Sequence, residues 1–172
     1  GGELGEESAN VLRELLEFGE LSAGEAMVPR TQIVGIATDM QGSEIRDLLR
    51  RKPHTRYLVY ENDLDKVVGF IHVKDLLKSI RDSEGVPADA VRPVPFLPAS
   101  SGLESVLREM RKTHSQLAVV MDEHGGTAGL LTVEDLFEEV VGEISEDRAE
   151  RPEILRTVEG SYVVRGTVRL ND

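Results

Sequence analysis

Thr132 and Asp135 stand three residues apart where an apolar run, Thr127 to Leu131, gives way to the acidic segment Glu134-Asp-Leu-Phe-Glu-Glu139. With a strand before and a helix after, the hydroxyl, the carboxylate and the unpaired amides of the first helical turn face one point. Such a group suits a ribose with phosphates nearby, and Glu134 adds a second carboxylate to the same turn. The spacing is also close to a capping box, in which the side chains only satisfy the helix start, worth about 0.5 to 2 kcal/mol. Spacing alone leaves both readings open.

An echo earlier in the chain bears on the choice. Gly69-Phe-Ile-His-Val-Lys-Asp-Leu-Leu77 precedes Gly129-Leu-Leu-Thr-Val-Glu-Asp-Leu-Phe137 by 60 residues. At that offset residues 52–77 overlay 112–137 without a gap and share seven residues, with His54 and His114 as mates; the preceding helices need a one-residue slip. Self-similarity of this kind marks a duplicated unit. The first copy keeps Asp75 but has His72 where the second has Thr132. A cap alone does not require that Asp.

The elements that must position these residues follow from apolar spacing. Val11, Leu12, Leu15, Leu16 and Phe18 form a helical stripe ending at Gly19, and Ser22-Ala-Gly-Glu25 fits a capping box for a short helix stopped by Pro29. Each repeat then reads as strand, helix, strand, strand, helix. In the first these are Ile33–Ile36, a helix from Ser43 to near Pro53, Tyr57–Tyr60, Val67–His72 and Val73–Arg81. In the second they are a start at Val91–Phe96, a helix through Leu103, Val106, Leu107 and Met110, strands Leu117–Met121 and Thr127–Leu131 around a turn at Asp122–Gly126, and the acidic helix. The fold class is α+β: two β-α-β-β-α motifs packed as a pseudo-two-fold pair. Expected boundaries are an N-terminal helix at 1–20, motifs at 21–83 and 84–147, and at 148–172 a linker and the truncated start of a β-rich domain, with a hairpin near Glu159-Gly160. The opening Gly1-Gly2 and the ending in mid-pattern give the expectation of a longer native protein.

Composition limits the partners. The 172 residues carry 20 Lys plus Arg against 32 Asp plus Glu, a net charge of −12 that opposes the phosphate attraction nucleic-acid binders rely on. There is no cysteine for disulfides or thiolate metal sites, and no window approaches the roughly 18 to 20 apolar residues of a membrane span. His54, His72, His114 and His124 lack zinc-site spacing, Gly125-Gly126 lacks the Lys-Ser/Thr of a phosphate loop, and no nucleophile–base pair stands out. An enzyme is not expected. Leu136, Phe137, Val140, Val141 and Ile144 give the acidic helix a buried stripe, while Glu138, Glu139, Glu143, Glu146 and Asp147 read as its solvated face.

Several stretches resemble one family. Met27-Val-Pro-Arg-Thr31, His54-Thr-Arg56, Leu117 through Gly129 and Leu131 through Glu143 look like the tandem cystathionine-β-synthase (CBS) pair, or Bateman module, of the CorC and cyclin-M magnesium transporters; the resemblance covers roughly residues 8 to 147. It implies a regulatory domain that binds ATP with Mg2+ between its motifs. By position it assigns Thr132 and Asp135 to the ribose and neighbouring phosphate, and His54, Thr55 and Arg56 to the same cleft. Backbone from Val28 to Ile33 goes to the adenine, and Glu134 to the cation through Mg-ATP. His54 stands where the family often has an aromatic ring. A weaker or empty second cleft would use His72, Lys74, Asp75, Ser115 and Gln116. The resemblance further implies a homodimer through the CBS pairs, a transmembrane domain in the same full-length chain and a place at the cytoplasmic face of the membrane. The alternative is a ligand-free dimerisation and interaction module.

Overall fold

Two apolar strands, β3 (Arg56–Tyr60) and β6 (Leu117–Met121), are covered on both faces, so each lies in the interior of a sheet. The computed structural model describes residues 7, 10–14, 21–82 and 85–138. In it β3 lies between β2 (Gly35–Ala37) and β4 (Val67–His72). The second sheet has the order β1 (Val28–Pro29), β7 (Thr127–Thr132), β6, β5 (Phe96–Pro98). β3 and β6 each run parallel to the strand before them and antiparallel to the one after, and β7 is antiparallel to both β6 and β1. Helices α3 (Gly42–Arg51) and α4 (Val73–Arg81) serve the first sheet, and α5 (Leu103–Thr113) with α6 (residues 133–138) serve the second. This is the expected α+β duplication.

Three apolar clusters account for the packing. Tyr57, Val59 and Ile71 meet Ile45 and Leu76 beneath α3 and α4. Ala118, Val120 and Leu131 meet Val106, Leu107, Met110, Leu136 and Phe137, joined by Leu12 from α1 (residues 10–14) and Ala23 from α2 (Ala23–Ala26). On the opposite sheet faces, Leu58 and Phe70 pack with Val94, Leu117 and Val119, so one shared core joins the repeats. Each fully buried aliphatic side chain contributes about 1.5 to 3 kcal/mol relative to exposure.

The register departs from the gapless overlay. Arg56 pairs with His72 and Tyr60 with Val67, whereas Leu117 pairs with Thr132 and Met121 with Thr127. β4 and β7 therefore correspond at an offset of 60, but β3 and β6 at 61. The slip lies in the hairpin loop, residues 61–66 against 122–126, and not before residue 52. A slip inside β3 would swap the side chains of its two buried faces; the loop absorbs the extra residue in a turn with Asn62 at φ 71°. Matched backbone bonds, Val73 N–H to Thr55 O and Val133 N–H to Gln116 O, show the same offsets. His54 therefore corresponds to Ser115. His114 is instead the left-handed C-cap of α5.

The lead-in segments are exchanged between repeats. Residues 28 and 29, ahead of the first repeat, pair with Leu130 and Gly129 of the second, and Arg92, ahead of the second, pairs with Phe70 of the first. The Ser22–Glu25 capping box is present in both halves, and α2 packs on the second repeat's core. The first strand begins at Gly35 instead of Ile33, because Arg30–Gln32 forms a 3-10 turn that Ile33 closes by donating to the Arg30 carbonyl. Leu15, Leu16, Phe18 and Gly19 of the first stripe, the end of the acidic helix and the predicted hairpin beyond residue 150 lie outside the described residues.

Candidate functional site

The register places the end of β7 and the start of β3 on either side of one cleft of about 370 Å³. Val28, Ile33, His54, Thr55, Arg56, Thr132, Glu134 and Asp135, all named from the sequence, line it together. So do Gln32, Val34, Leu117 and Leu130, which sequence reasoning did not select. Leu117 and Leu130 are the register partners of Thr132 and Val28, a relation visible only once the strands are paired.

Thr132 caps α6: its Oγ1 accepts from the Asp135 amide at 2.9 Å. The capping half of the sequence reading is thus present, but the box is incomplete. At Ser22/Glu25 and Gln41/Glu44 the acidic side chain returns a bond to the cap's backbone amide. Asp135 returns none, and its carboxylate makes no hydrogen bond or ion pair among the described residues. The Thr132 hydroxyl proton and the Asp135 carboxylate remain available to a ligand.

Arg56 supplies the opposite charge. Its side chain is only 11% exposed, yet its one ionic partner among the described residues is Glu134 at 3.7 Å. A guanidinium carries five N–H donors, and covering it with so loose a partner leaves most of them unmet by the described residues. A phosphate, which a guanidinium can grip through two parallel bonds, fits that deficit. Beside Arg56, the backbone at His54 is fixed by Tyr57, whose buried hydroxyl accepts from the His54 amide and donates to the Lys52 carbonyl, both at 2.7 Å. Burial raises the Tyr57 pKa, so the hydroxyl keeps its proton for the Lys52 bond. The His54 ring stands edge-on to Tyr57 at 5.6 Å, exposed toward the cleft mouth.

The pseudo-equivalent position differs in chemistry. Ser115 is buried, with its hydroxyl donating to the Leu117 carbonyl and accepting from the Leu117 amide. Leu117 stands where the first repeat has Arg56, and Asp75 opens on a separate cavity of about 250 Å³ shared with Lys78, Asp82 and Asp89. Among the described residues no cluster of three or more His, Asp or Glu is placed to hold a metal by itself. Any cation at Glu134 must bring ligands with it.

His72 caps α4 as Thr132 caps α6, but through Nδ1, which accepts from the Lys74 amide at 3.1 Å. Protonation removes that acceptor and puts positive charge on the positive end of the helix. Burial first, then Arg56 and Lys74, lower the His72 pKa; Asp75 opposes and Arg92 reinforces. A histidine with a depressed folded pKa stabilises the fold fully above its ordinary value of about 6.5, and that contribution is lost as pH falls through the folded value. The melting temperature of the wild type is expected to fall more steeply than that of His72→Thr between about pH 6.5 and 5, since a hydroxyl cap does not titrate. Equal slopes in a pH series of thermal melts would refute this.

Comparisons with known proteins identify relatives of the chain and of its fold. The CBS domain family model matches residues 23–82 and 88–142. "UPF0053 protein YhdP" of Bacillus subtilis (strain 168) is 36% identical over 99% of this chain, which spans 40% of that relative. A CBS domain of a putative transporter from Clostridium difficile 630 has a TM-score of 0.68 at 36% identity, covering 74% of this chain and 99% of its own. The CBS domain of a bacterial CNNM/CorC family Mg2+ transporter, solved in complex with ATP, has a TM-score of 0.66 at 35% identity, covering 80% of this chain and 96% of its own. No helix among the described residues is long and apolar enough to cross a membrane. The chain belongs to the CBS-domain family, as a tandem pair of the CNNM/CorC transporter kind.

Proposed function

We propose that this chain is a regulatory nucleotide sensor, which binds ATP with Mg2+ in the cleft between its repeats and reports to the membrane part of a divalent-cation transporter. The observation that carries the proposal is the pairing of a covered, under-satisfied Arg56 with an uncommitted Asp135 carboxylate across one cleft. Arg56 takes phosphate, Asp135 and Thr132 take ribose hydroxyls and the adjacent phosphate, and Val28, Ile33, His54 and Thr55 enclose the base. A polyphosphate beside Glu134 and Asp135 is repelled, by about 4 kcal/mol for each unit pair at 4 Å and an effective dielectric of 20. Mg2+ bridging phosphate oxygens and Glu134, with water completing its shell, removes that penalty.

The transporter connection is supported by the transporter CBS domains among the structural neighbours, one of them solved with ATP; this chain spans only 40% of the YhdP relative, which leaves length for a further part. The chain would act as a homodimer, joined to a transmembrane domain of its own longer protein at the cytoplasmic membrane face. It would carry out no reaction of its own. The second reading, a ligand-free dimerisation module, is favoured by one contact, the Thr132–Asp135 cap. Thermal unfolding separates the two. ATP at 100 times its dissociation constant stabilises the folded state by about 2.7 kcal/mol, and the shift should be larger with Mg2+ than without. An unchanged melting temperature under saturating ATP, with and without Mg2+, would exclude the sensor and leave the module.

A further inference from the structure

Arg30, Asp65 and Thr127 come from the lead-in, the first hairpin loop and the first residue of β7. They meet in one clasp. An Asp65 carboxylate oxygen accepts from the Arg30 guanidinium and from the Thr127 amide, the latter at 3.0 Å. The same guanidinium donates to the Thr127 carbonyl at 3.1 Å, and the Thr127 hydroxyl, in a residue 4% exposed, donates to the Leu64 carbonyl at 2.5 Å. The clasp therefore ties the first repeat's hairpin to the second repeat's strand, with the lead-in between them.

What the clasp holds is a wall of the cleft. β1 has only two residues and two register pairs with β7, a weak tether for a chain segment. Immediately after it come the 3-10 turn that starts at Arg30 and then Gln32, Ile33 and Val34, which face the Thr132–Asp135 side across the cleft. Thr127 and Thr132 are the two ends of one strand, roughly 17 Å apart at 3.4 Å per residue. The clasp thus acts on the cleft through the lead-in and not by touching what binds there.

We propose that Arg30 and Asp65 are positioning residues for the nucleotide cleft, holding the Gln32–Val34 wall at the distance from Asp135 that the base and ribose require. The inference rests on the nucleotide function proposed above. Arg30 first, then the Thr127 amide, hold the Asp65 carboxyl below the usual carboxylate range, so the clasp is charged and closed at neutral pH. The shared apolar core is non-directional and the exchanged lead-ins pair over only a few residues; a charge pair with two backbone partners adds a directional tie between the repeats.

The test uses the 172-residue chain and Asp65→Asn, which keeps the shape and removes the charge, with Arg30→Lys as a milder variant that keeps the charge but ends one bond short of Nη1, the atom that makes both contacts. Asp65→Asn is expected to speed hydrogen exchange at the Ile33 amide in the ligand-free chain. It should also weaken Mg-ATP binding about tenfold, within the usual range of coupling between sites, and Arg30→Lys should fall between it and the wild type. A clasp that is merely structural lowers the melting temperature by the same amount with and without ATP and leaves affinity unchanged, which would overturn the inference. Unchanged exchange at Ile33 would also overturn it. A wild-type chain that binds no nucleotide would instead overturn the functional proposal and the affinity claim with it.

Discussion

Asp135→Asn is expected to weaken ATP binding by about tenfold to a hundredfold and to leave the ligand-free melting temperature almost unchanged. The two halves have separate physical grounds. A hydrogen bond to an ionised group contributes about 1.5 to 3 kcal/mol, and each 1.4 kcal/mol is a factor of ten in affinity. Among the described residues the same carboxylate makes no bond, and the cap at this helix start uses the Asp135 backbone amide and the Thr132 hydroxyl, both kept in the variant. What the free protein loses is the favourable placement of a negative charge in the first turn of α6, worth about 0.3 to 1 kcal/mol and screened by salt. Titration calorimetry on wild type and variant, with melts of each in the absence of ligand, measures both halves. If the variant binds ATP as the wild type does, the Asp135 carboxylate has no part in the site, and the capping interpretation stands by itself.

The site was more legible than the geometry that assembles it. Thr132, Glu134 and Asp135 lie within four residues of one another, and a strand running into a helix carries its own signal in apolar periodicity. His54 to Arg56 could be joined to them through the repeat and the family resemblance. The repeat's register could not be read, because β3 and β6 are buried on both faces and so lack the alternation that pins a strand. The gapless overlay therefore makes His54 and His114 mates, whereas the pairing with β4 and β7 makes Ser115 the equivalent of His54. The lead-in was equally hidden: β1 is two residues long, and its contact with β7 is made by backbone groups, which every sequence possesses. The Arg30–Thr127 bond spans 97 residues, beyond the reach of local pattern. Gln32 and Val34 line the cleft at and just after the 3-10 turn that starts at Arg30, a placement no local pattern announces.

One sequence signal did anticipate the exchange of lead-ins, the glycine shared at positions 69 and 129. A Cβ on Gly129 would lie 2.5 Å from the Val28 carbonyl oxygen and closer still to the Met27 sulfur; on Gly69 it would meet the Arg92 carbonyl and, at 2.7 Å, Val91 Cγ1. In each repeat the crossing backbone of the other repeat's lead-in occupies the place of a side chain. Val28 cannot retreat without giving up its pairing with Leu130, and Met27 packs against the second repeat's core. Gly129→Ala is therefore expected to destabilise the chain by about 1 to 3 kcal/mol, the usual cost of overpacking. That lowers the melting temperature by about 2 to 4 °C per kcal/mol in a chain of this length. Gly69→Ala should cost a similar amount, since the approach there is as close. The two differ in what they do to the cleft: Val28 is part of its wall, and neither Val91 nor Arg92 is. Gly129→Ala should lose ATP affinity as well as stability, whereas Gly69→Ala should lose stability and bind ATP as the wild type does. Urea denaturation and nucleotide titration of the pair would measure this; a Gly129→Ala variant as stable as the wild type would mean that the lead-in does not cross β7 at that residue.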